Sequence, residues 1–352
     1  MRALSLDKIA SVTLNCALRK DVRVENEFPC REGDVVAVRI LNAKTTYNTL
    51  ELPSGRMSTL RPGDVIAGAL GHRAALLGYA GHVPEKLAVG DVINLLNIGG
   101  VLGICTSGSP SVGAPFECEV LGQVLDFPFV GSRKGIPANI SHHCGPLDET
   151  LDLAKTPVVA VVGTCMNSGK TEACLSLVHE FARSNQKVSA GKSTGVSLRR
   201  DILAMEDAGA FEAMIFTDLG IVTTSKQNAA GLSRTLLNRL AKNQPDVILL
   251  ELGDGLLGDY GVDAILDEAD LRAGFTSVVL AANDPVAAWG GTVLLRERYG
   301  IVPSVITGPA TDNRAGCRAV ERETNVPAIN ARTDREALAR AVLGTKEAAG
   351  AP

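Results

Sequence analysis

The sequence predicts two domains: a smaller β-rich barrel or sandwich over residues 1–150, then an α/β domain over 155–345 built on a P-loop type, doubly wound, mostly parallel sheet. Three observations carry this expectation. At 352 residues the chain exceeds what one hydrophobic core usually serves. Its first part writes Gly-Asp three times ahead of short apolar runs and shows little helical periodicity. After "HHCGPLDETLDLAKTP" the pattern changes to apolar runs of strand length separated by helix-like stretches, which places the boundary near residue 155.

In the first part the dipeptides are Gly33-Asp34 in "REGDVVAVRI", Gly63-Asp64 in "RPGDVIAGAL" and Gly90-Asp91 in "AVGDVINLLN". Each reads as a turn launching a strand, because glycine accepts positive φ and the β-branched residues that follow favour extended backbone. The intervening sequence is not self-similar, so the turns recur without forming a solenoid. "GALGHRAALLGYAGH", with His72, Arg73 and His82, reads as a pair of hairpin turns or as a glycine-rich contact surface. In the second part "VVAVVG", "DVILLELG", "TSVVLAAND" and "VPSVITGP" are strands buried on both faces. Cys174, Leu177, Val178 and Phe181 lie at helical spacing just after the first of them.

Composition narrows the function. A net charge of −4 leaves no electrostatic footprint for nucleic acid or anionic lipid, and a 4% aromatic share offers few base-stacking platforms. No run of about twenty apolar residues occurs and the N-terminus lacks the order of a signal peptide, so a cytoplasmic protein without membrane partners is expected. The eight cysteines form no Cys-x-x-Cys pair and read as free thiols. His142, His143 and Cys144 are adjacent in "NISHHCGPL", but neighbouring residues seldom point at one ion and no second cluster completes a tetrahedral set; a loop with partly buried imidazoles is the simpler reading. Cys105 in "GICTSGSP" fits a surface loop.

The chemistry concentrates in "GTCMNSGKT", residues 163–171. An apolar strand, a glycine-rich turn and a helix onset follow in the order a phosphate cradle requires. Gly163, Thr164, Asn167, Ser168 and Gly169 would wrap the phosphates, Lys170 would reach the β and γ positions, and the Thr171 hydroxyl would ligate Mg²⁺. The gap between Gly163 and Gly169 holds five residues, one more than the commonest form of this loop. Glu251 ends an apolar strand, where open α/β sheets bind ligands, and suits a second metal ligand or a strand-end ion pair. A second lysine such as Lys192 would stabilise charge in a phosphoryl-transfer transition state, and Asp201 in "RRDILAM" reads by itself as a helix N-cap. Asp254 reads equally as a ligand or as a turn residue. Cys165 beside the phosphates has no histidine in the loop to activate it.

The long spacing with "GT" at its start resembles the loop of the dethiobiotin synthetases, G-T-x-x-x-x-G-K-T, and of the wider group that includes the cobyrinic acid amidating enzymes. "KVSAGKSTG" is similar to the family's second strand, whose lysine near the transferred phosphate would be Lys192; "RRDILAMEDAG" resembles the segment with a Mg²⁺-binding aspartate, which would be Asp201. "DVILLELGDGLLG" resembles its E-G-A-G-G stretch, making Glu251 the acidic metal partner, and "ERETNVPAIN" looks like the strand leading to its adenine side. The likeness spans about residues 157–330. It implies an enzyme using ATP and Mg²⁺ to phosphorylate or activate a small-molecule carboxylate toward amide or ring formation, with Lys170 and Lys192 catalytic, and a homodimer as the expected assembly. The first 150 residues have no counterpart in it and would cover the site or touch substrate. Cys165, Met166 and Asn167 replace the family's usual polar and acidic loop residues, and Leu252 and Asp254 change the substrate turn, so the substrate is expected to differ. Two alternatives stay open. One is an N-acyltransferase whose loop holds coenzyme A phosphates, and the other is a switch NTPase that assists cofactor or metal-centre assembly. No Asn-Lys-x-Asp stretch is present, which favours ATP over GTP.

Overall fold

The computed structural model describes residues 1–129, 131 and 133–343. The expected second domain reaches residue 345, and its residues 344 and 345 lie outside the described residues. The chain divides into two units, Met1–Pro146 and Leu147–Pro352, with one exchange: Val196–Arg200 and Phe216–Thr223 belong to the first. These two segments fall inside the stretch that the sequence assigns to the second domain.

In the first unit five strands close into a ring. Phe116–Asp126 pairs with Val35–Ile40, which pairs with Val65–Leu70; the last runs parallel to Val101–Gly108, whose other neighbour, Val92–Leu95, returns to Phe116–Asp126. Closure removes sheet edges within the ring, and its interior is filled by buried side chains such as Val36, Val38, Ile66, Leu102 and Phe116. Of the two architectures expected, the barrel is the one formed. Each of the three Gly-Asp turns feeds one ring strand. Gly33, Gly63 and Gly90 have φ of 85°, 92° and 94°. The aspartates that follow accept from the amides three residues back, Asp34 from Arg31 at 2.9 Å, Asp64 from Arg61 at 2.7 Å and Asp91 from Ala88 at 2.8 Å. Glycine supplies the turn and the aspartate side chain locks it.

The two later segments complete this unit. The Ser197 amide donates to the Val222 carbonyl at 2.9 Å, and Val222 packs within the barrel's hydrophobic cluster. Asn97 donates to the Ser197 carbonyl at 2.8 Å. Glu51, fully buried, accepts from the Ser11 hydroxyl and from the amides of Arg199 (2.8 Å) and Arg200 (2.7 Å). Arg73 is buried and donates to Tyr47 Oη at 3.1 Å and to the Leu96 carbonyl, while Arg73–Ala74 pairs with Tyr79–His82 as a hairpin, so this part of the glycine-rich stretch is framework. His143 meets Asp126 at 2.9 Å whereas the Cys144 thiol lies by the Ile140 and Asp218 carbonyls, so these neighbours face different partners.

The second unit is a six-stranded sheet, parallel throughout. Its strands are β1 (Val158–Gly163), β2 (Val188–Thr194), β3 (Glu212–Ile215), β4 (Val247–Leu252), β5 (Phe275–Ala281) and β6 (Val305–Thr307), in the order β3-β2-β4-β1-β5-β6. All residues of β1 and β4 are buried, as expected of strands covered on both faces. Helix α1 (Lys170–Arg183) turns Ala173, Cys174, Leu177, Val178 and Phe181 to the core, which includes the four positions read from the sequence. Helix α2 (Arg200–Asp207) follows β2. "ERETNVPAIN" differs from expectation: it touches β6 through a single bridge, Ile306 to Ala328, and forms no strand. Pro327 lacks an N–H and cannot continue a ladder as donor. Among the described residues no helix is long and apolar enough to cross a membrane.

Candidate functional site

The loop from Gly163 to Thr171 leaves the carboxyl end of β1 and enters α1. Close approach explains Gly163: a Cβ there would stand 2.3 Å from Ser168 Oγ and 2.8 Å from the Lys170 side chain. Asn167 and Gly169 take positive φ, 60° and 96°, and bend the loop back on itself before the helix begins at Lys170. The Lys170 side chain is therefore folded along the inside of the loop. It is 6% exposed and its Nζ donates to the Cys165 carbonyl at 2.8 Å. Burial pulls the Lys170 ammonium below the ordinary lysine range, against the attraction of Glu251.

Sheet register assembles the remaining groups. In the parallel pairing of β2 with β4, Lys192 is the partner of Glu251, and their side chains meet at 3.7 Å. Lys192 also forms an ion pair with Asp201, in the first turn of α2. Burial disfavours the Lys192 charge, yet Glu251 and Asp201 more than offset this and hold it above the ordinary lysine range. Glu251, 2% exposed, lies 3.2 Å from Thr171 Oγ1 through each of its carboxylate oxygens. The structure thus joins Lys192 to both Asp201 and Glu251, and Glu251 to Thr171. It places Asp201, in the first turn of α2, against Lys192 as an ion-pairing partner.

The cradle has open hydrogen-bonding capacity. Among the described residues the buried hydroxyls of Thr164 and Ser168 have no hydrogen-bond partner. Such groups are rare in folded proteins, and a cluster of them around a loop of this shape suits a polar ligand. No group of three or more His, Cys, Asp or Glu side chains able to hold a metal occurs among the described residues. A Mg²⁺ ion here would therefore rest on Thr171, Glu251, phosphate oxygens and water, a set that suits this cation. The residues present fit a magnesium-bound polyphosphate.

Asn283, in the "AAND" stretch, places its Nδ2 2.8 Å from Cys165 Sγ, and Asp284 caps the helix Pro285–Tyr299 by accepting from the Ala287 amide at 2.9 Å. The contact of Asn283 with the loop was not legible beforehand, since 118 residues separate the two.

The chain matches none of the known protein families and none of the curated proteins with which it was compared. It is similar in part to solved structures. A DUF1611 family protein from Anabaena variabilis is 19% identical over 58% of this chain and 63% of its own, with a TM-score of 0.41. The second unit is an α/β fold with a parallel sheet and a glycine-rich loop between β1 and α1. The signal recognition particle 54 kDa protein from Aeropyrum pernix, solved with GDP, is 20% identical over 56% of this chain and 49% of its own, TM-score 0.37. Hydrogenase maturation factor HypB from Archaeoglobus fulgidus is 17% identical over 54% and 89%, TM-score 0.37. The chain spans 63% of the DUF1611 protein's length, and these are partial overlaps; the fold rests on this chain's own parallel sheet and the loop that β1 carries into α1.

Proposed function

We propose that the second unit is an ATP- and Mg²⁺-dependent enzyme that transfers a phosphoryl group to a small-molecule carboxylate, activating it in a ligase-type reaction. The observation that carries this reading is the Thr171 hydroxyl at 3.2 Å from both oxygens of the buried Glu251, directly behind the phosphate loop. A cradle that merely held a phosphorylated carrier such as coenzyme A would need no carboxylate behind that hydroxyl. Bound there, Mg²⁺·ATP supplies the phosphoryl group and the charge-neutralising cation. Gly163, Thr164, Asn167, Ser168 and Gly169 wrap the phosphates, and the Thr164 and Ser168 hydroxyls gain partners. Lys170 exchanges the Cys165 carbonyl for phosphate oxygens. Thr171 and Glu251 hold the metal side, Asp201 anchors Lys192 and adds negative charge near the metal, and Lys192 stabilises charge on the transferred group.

Calorimetric titration with ATP, GTP and coenzyme A, each with and without Mg²⁺, tests the reading. Selective Mg²⁺-dependent ATP binding is expected; GTP preference would change the nucleotide, and Mg²⁺-independent coenzyme A binding would replace the proposal with acyl transfer. Glu251→Gln should lower Mg²⁺-dependent turnover by about 10²-fold or more, the scale of losing one group that stabilises transition-state charge. Lys192 keeps Asp201 in that variant, so folding should largely survive. A loss of thermal stability parallel to the loss of turnover would show Glu251 to be a strand-end ion pair.

A further inference from the structure

The loop between β1 and α1 is anchored at its two ends and only lightly held between them. At its start the Thr164 amide donates to the Ala281 carbonyl of β5 at 3.0 Å, and at its end the Ala173 amide donates to the Gly169 carbonyl at 3.0 Å as α1 begins. Among the described residues the amides of 165–168 donate to no other group, which keeps them available to a phosphate. Three polar contacts hold this part of the loop among the described residues. Lys170 Nζ donates to the Cys165 carbonyl at 2.8 Å, the Cys165 thiol donates to the Met166 carbonyl at 3.0 Å, and Asn283 Nδ2 donates to Cys165 Sγ at 2.8 Å. The first is given up when Lys170 turns to a phosphate, and the second lies wholly within the loop. The contact from Asn283 is then the one that still fixes Cys165 to the sheet.

Asn283 is mounted so that it can impose a position on its partner. The Ala282 amide before it donates to the Thr307 carbonyl of β6 at 2.9 Å, and the Ala282 carbonyl accepts from the Ala310 amide at 3.0 Å. Asp284 after it caps the helix Pro285–Tyr299. A side chain whose neighbours on both sides are fixed holds its rotamer against a mobile partner. The thiol suits its place as well, since it gives one hydrogen bond and receives another without adding charge beside a phosphate. We propose that Asn283 is a positioning residue for nucleotide binding: through the Cys165 thiol it keeps the loop in the shape that leaves the amides of 165–168 open to the phosphates, and it touches no phosphate itself. This rests on the reading of the loop as a Mg²⁺·ATP site and adds the residue that holds its shape once Lys170 has been drawn away.

The test reads, by calorimetry on the full chain, the affinity for Mg²⁺ with a non-hydrolysable ATP analogue in the wild type, Asn283→Ala, Cys165→Ala, the double variant and Cys165→Ser. Each single alanine variant is expected to bind about tenfold more weakly, and the double variant no more weakly than either, because both changes remove one contact. Cys165→Ser keeps a donor and an acceptor in place and should stay within about threefold of the wild type. Thermal midpoints without nucleotide should differ little among these proteins, since what is lost is one hydrogen bond to a weak acceptor. The comparison of Cys165→Ala with Cys165→Ser decides the matter even if Asn283→Ala fails to fold. Losses that multiply in the double variant would overturn the proposal by showing that Asn283 meets the nucleotide on its own. Unchanged affinity in both single variants, or a loss in Cys165→Ser equal to that in Cys165→Ala, would overturn it too. Failure of the wild type to bind the nucleotide would be seen first and would instead sink the reading of the loop.

Discussion

Lys170→Ala is expected to lower ATP affinity by about 100-fold or more, a change of about 2.7 kcal/mol, consistent with losing charge-assisted hydrogen bonds to phosphate. The nucleotide-free protein should be affected far less. In the folded chain the Lys170 ammonium is buried along the loop and held below its ordinary range mainly by that burial. The native state therefore binds this proton less readily than the unfolded chain does, and the group opposes folding at neutral pH, with relief only as pH rises toward the unfolded lysine value of 10.5. The volume-matched Lys170→Met should accordingly be at least as stable as the wild type at pH 7, yet bind ATP as poorly as the alanine variant. Calorimetry and thermal denaturation on the same samples read the two effects separately. Unchanged ATP affinity in both variants would refute the role assigned to the loop.

Lys192→Met should have the opposite signature, a large loss of stability in the absence of any nucleotide. Lys192 joins Asp201 and the buried Glu251, and removing it leaves both carboxylates without their shared cation. Breaking a buried pair from one side costs about 3–5 kcal/mol. The sign of the pH dependence follows from the raised pKa of Lys192. The native state holds the proton more tightly than the unfolded chain, so the stabilisation is complete below the unfolded value of 10.5 and is lost as pH rises above it toward the native value. Denaturant melts across that range should show the wild type falling toward the variant. A gap that widened with alkalinity, or a variant as stable as the wild type at pH 7, would contradict this account.

How much could be read in advance depended on how far apart the cooperating residues lie. The strand, loop and helix from Val158 to Phe181 were legible because each is a local pattern: an apolar run, glycines at a bend, apolar residues at helical spacing. The three Gly-Asp turns were legible for the same reason, although the carboxylate bonds that lock them are visible only in the folded chain. Glu251 could be singled out by its place at the end of an apolar strand, but its grouping with Lys192 and Asp201 came from a resemblance, since nothing in their spacing relates the three. The register of β2 against β4 is what sets Lys192 beside Glu251, 59 positions away in the chain.

By itself, then, the sequence determined the class of each half and the position of the glycine-rich loop between strand and helix, because turn chemistry and hydrophobic period are properties of neighbouring residues. Only the tertiary structure decided that the first unit closes as a barrel, through the parallel pairing of Val65–Leu70 with Val101–Gly108. It alone decided that Val196–Arg200 and Phe216–Thr223 complete that unit, with Glu51 receiving the amides of Arg199 and Arg200. It also decided that Asp254, which the sequence left open between ligand and turn residue, ends buried in a left-handed turn. Burial and hydrogen-bond satisfaction depend on which distant segments arrive at a point in space, and that information belongs to the packed chain rather than to any stretch of it.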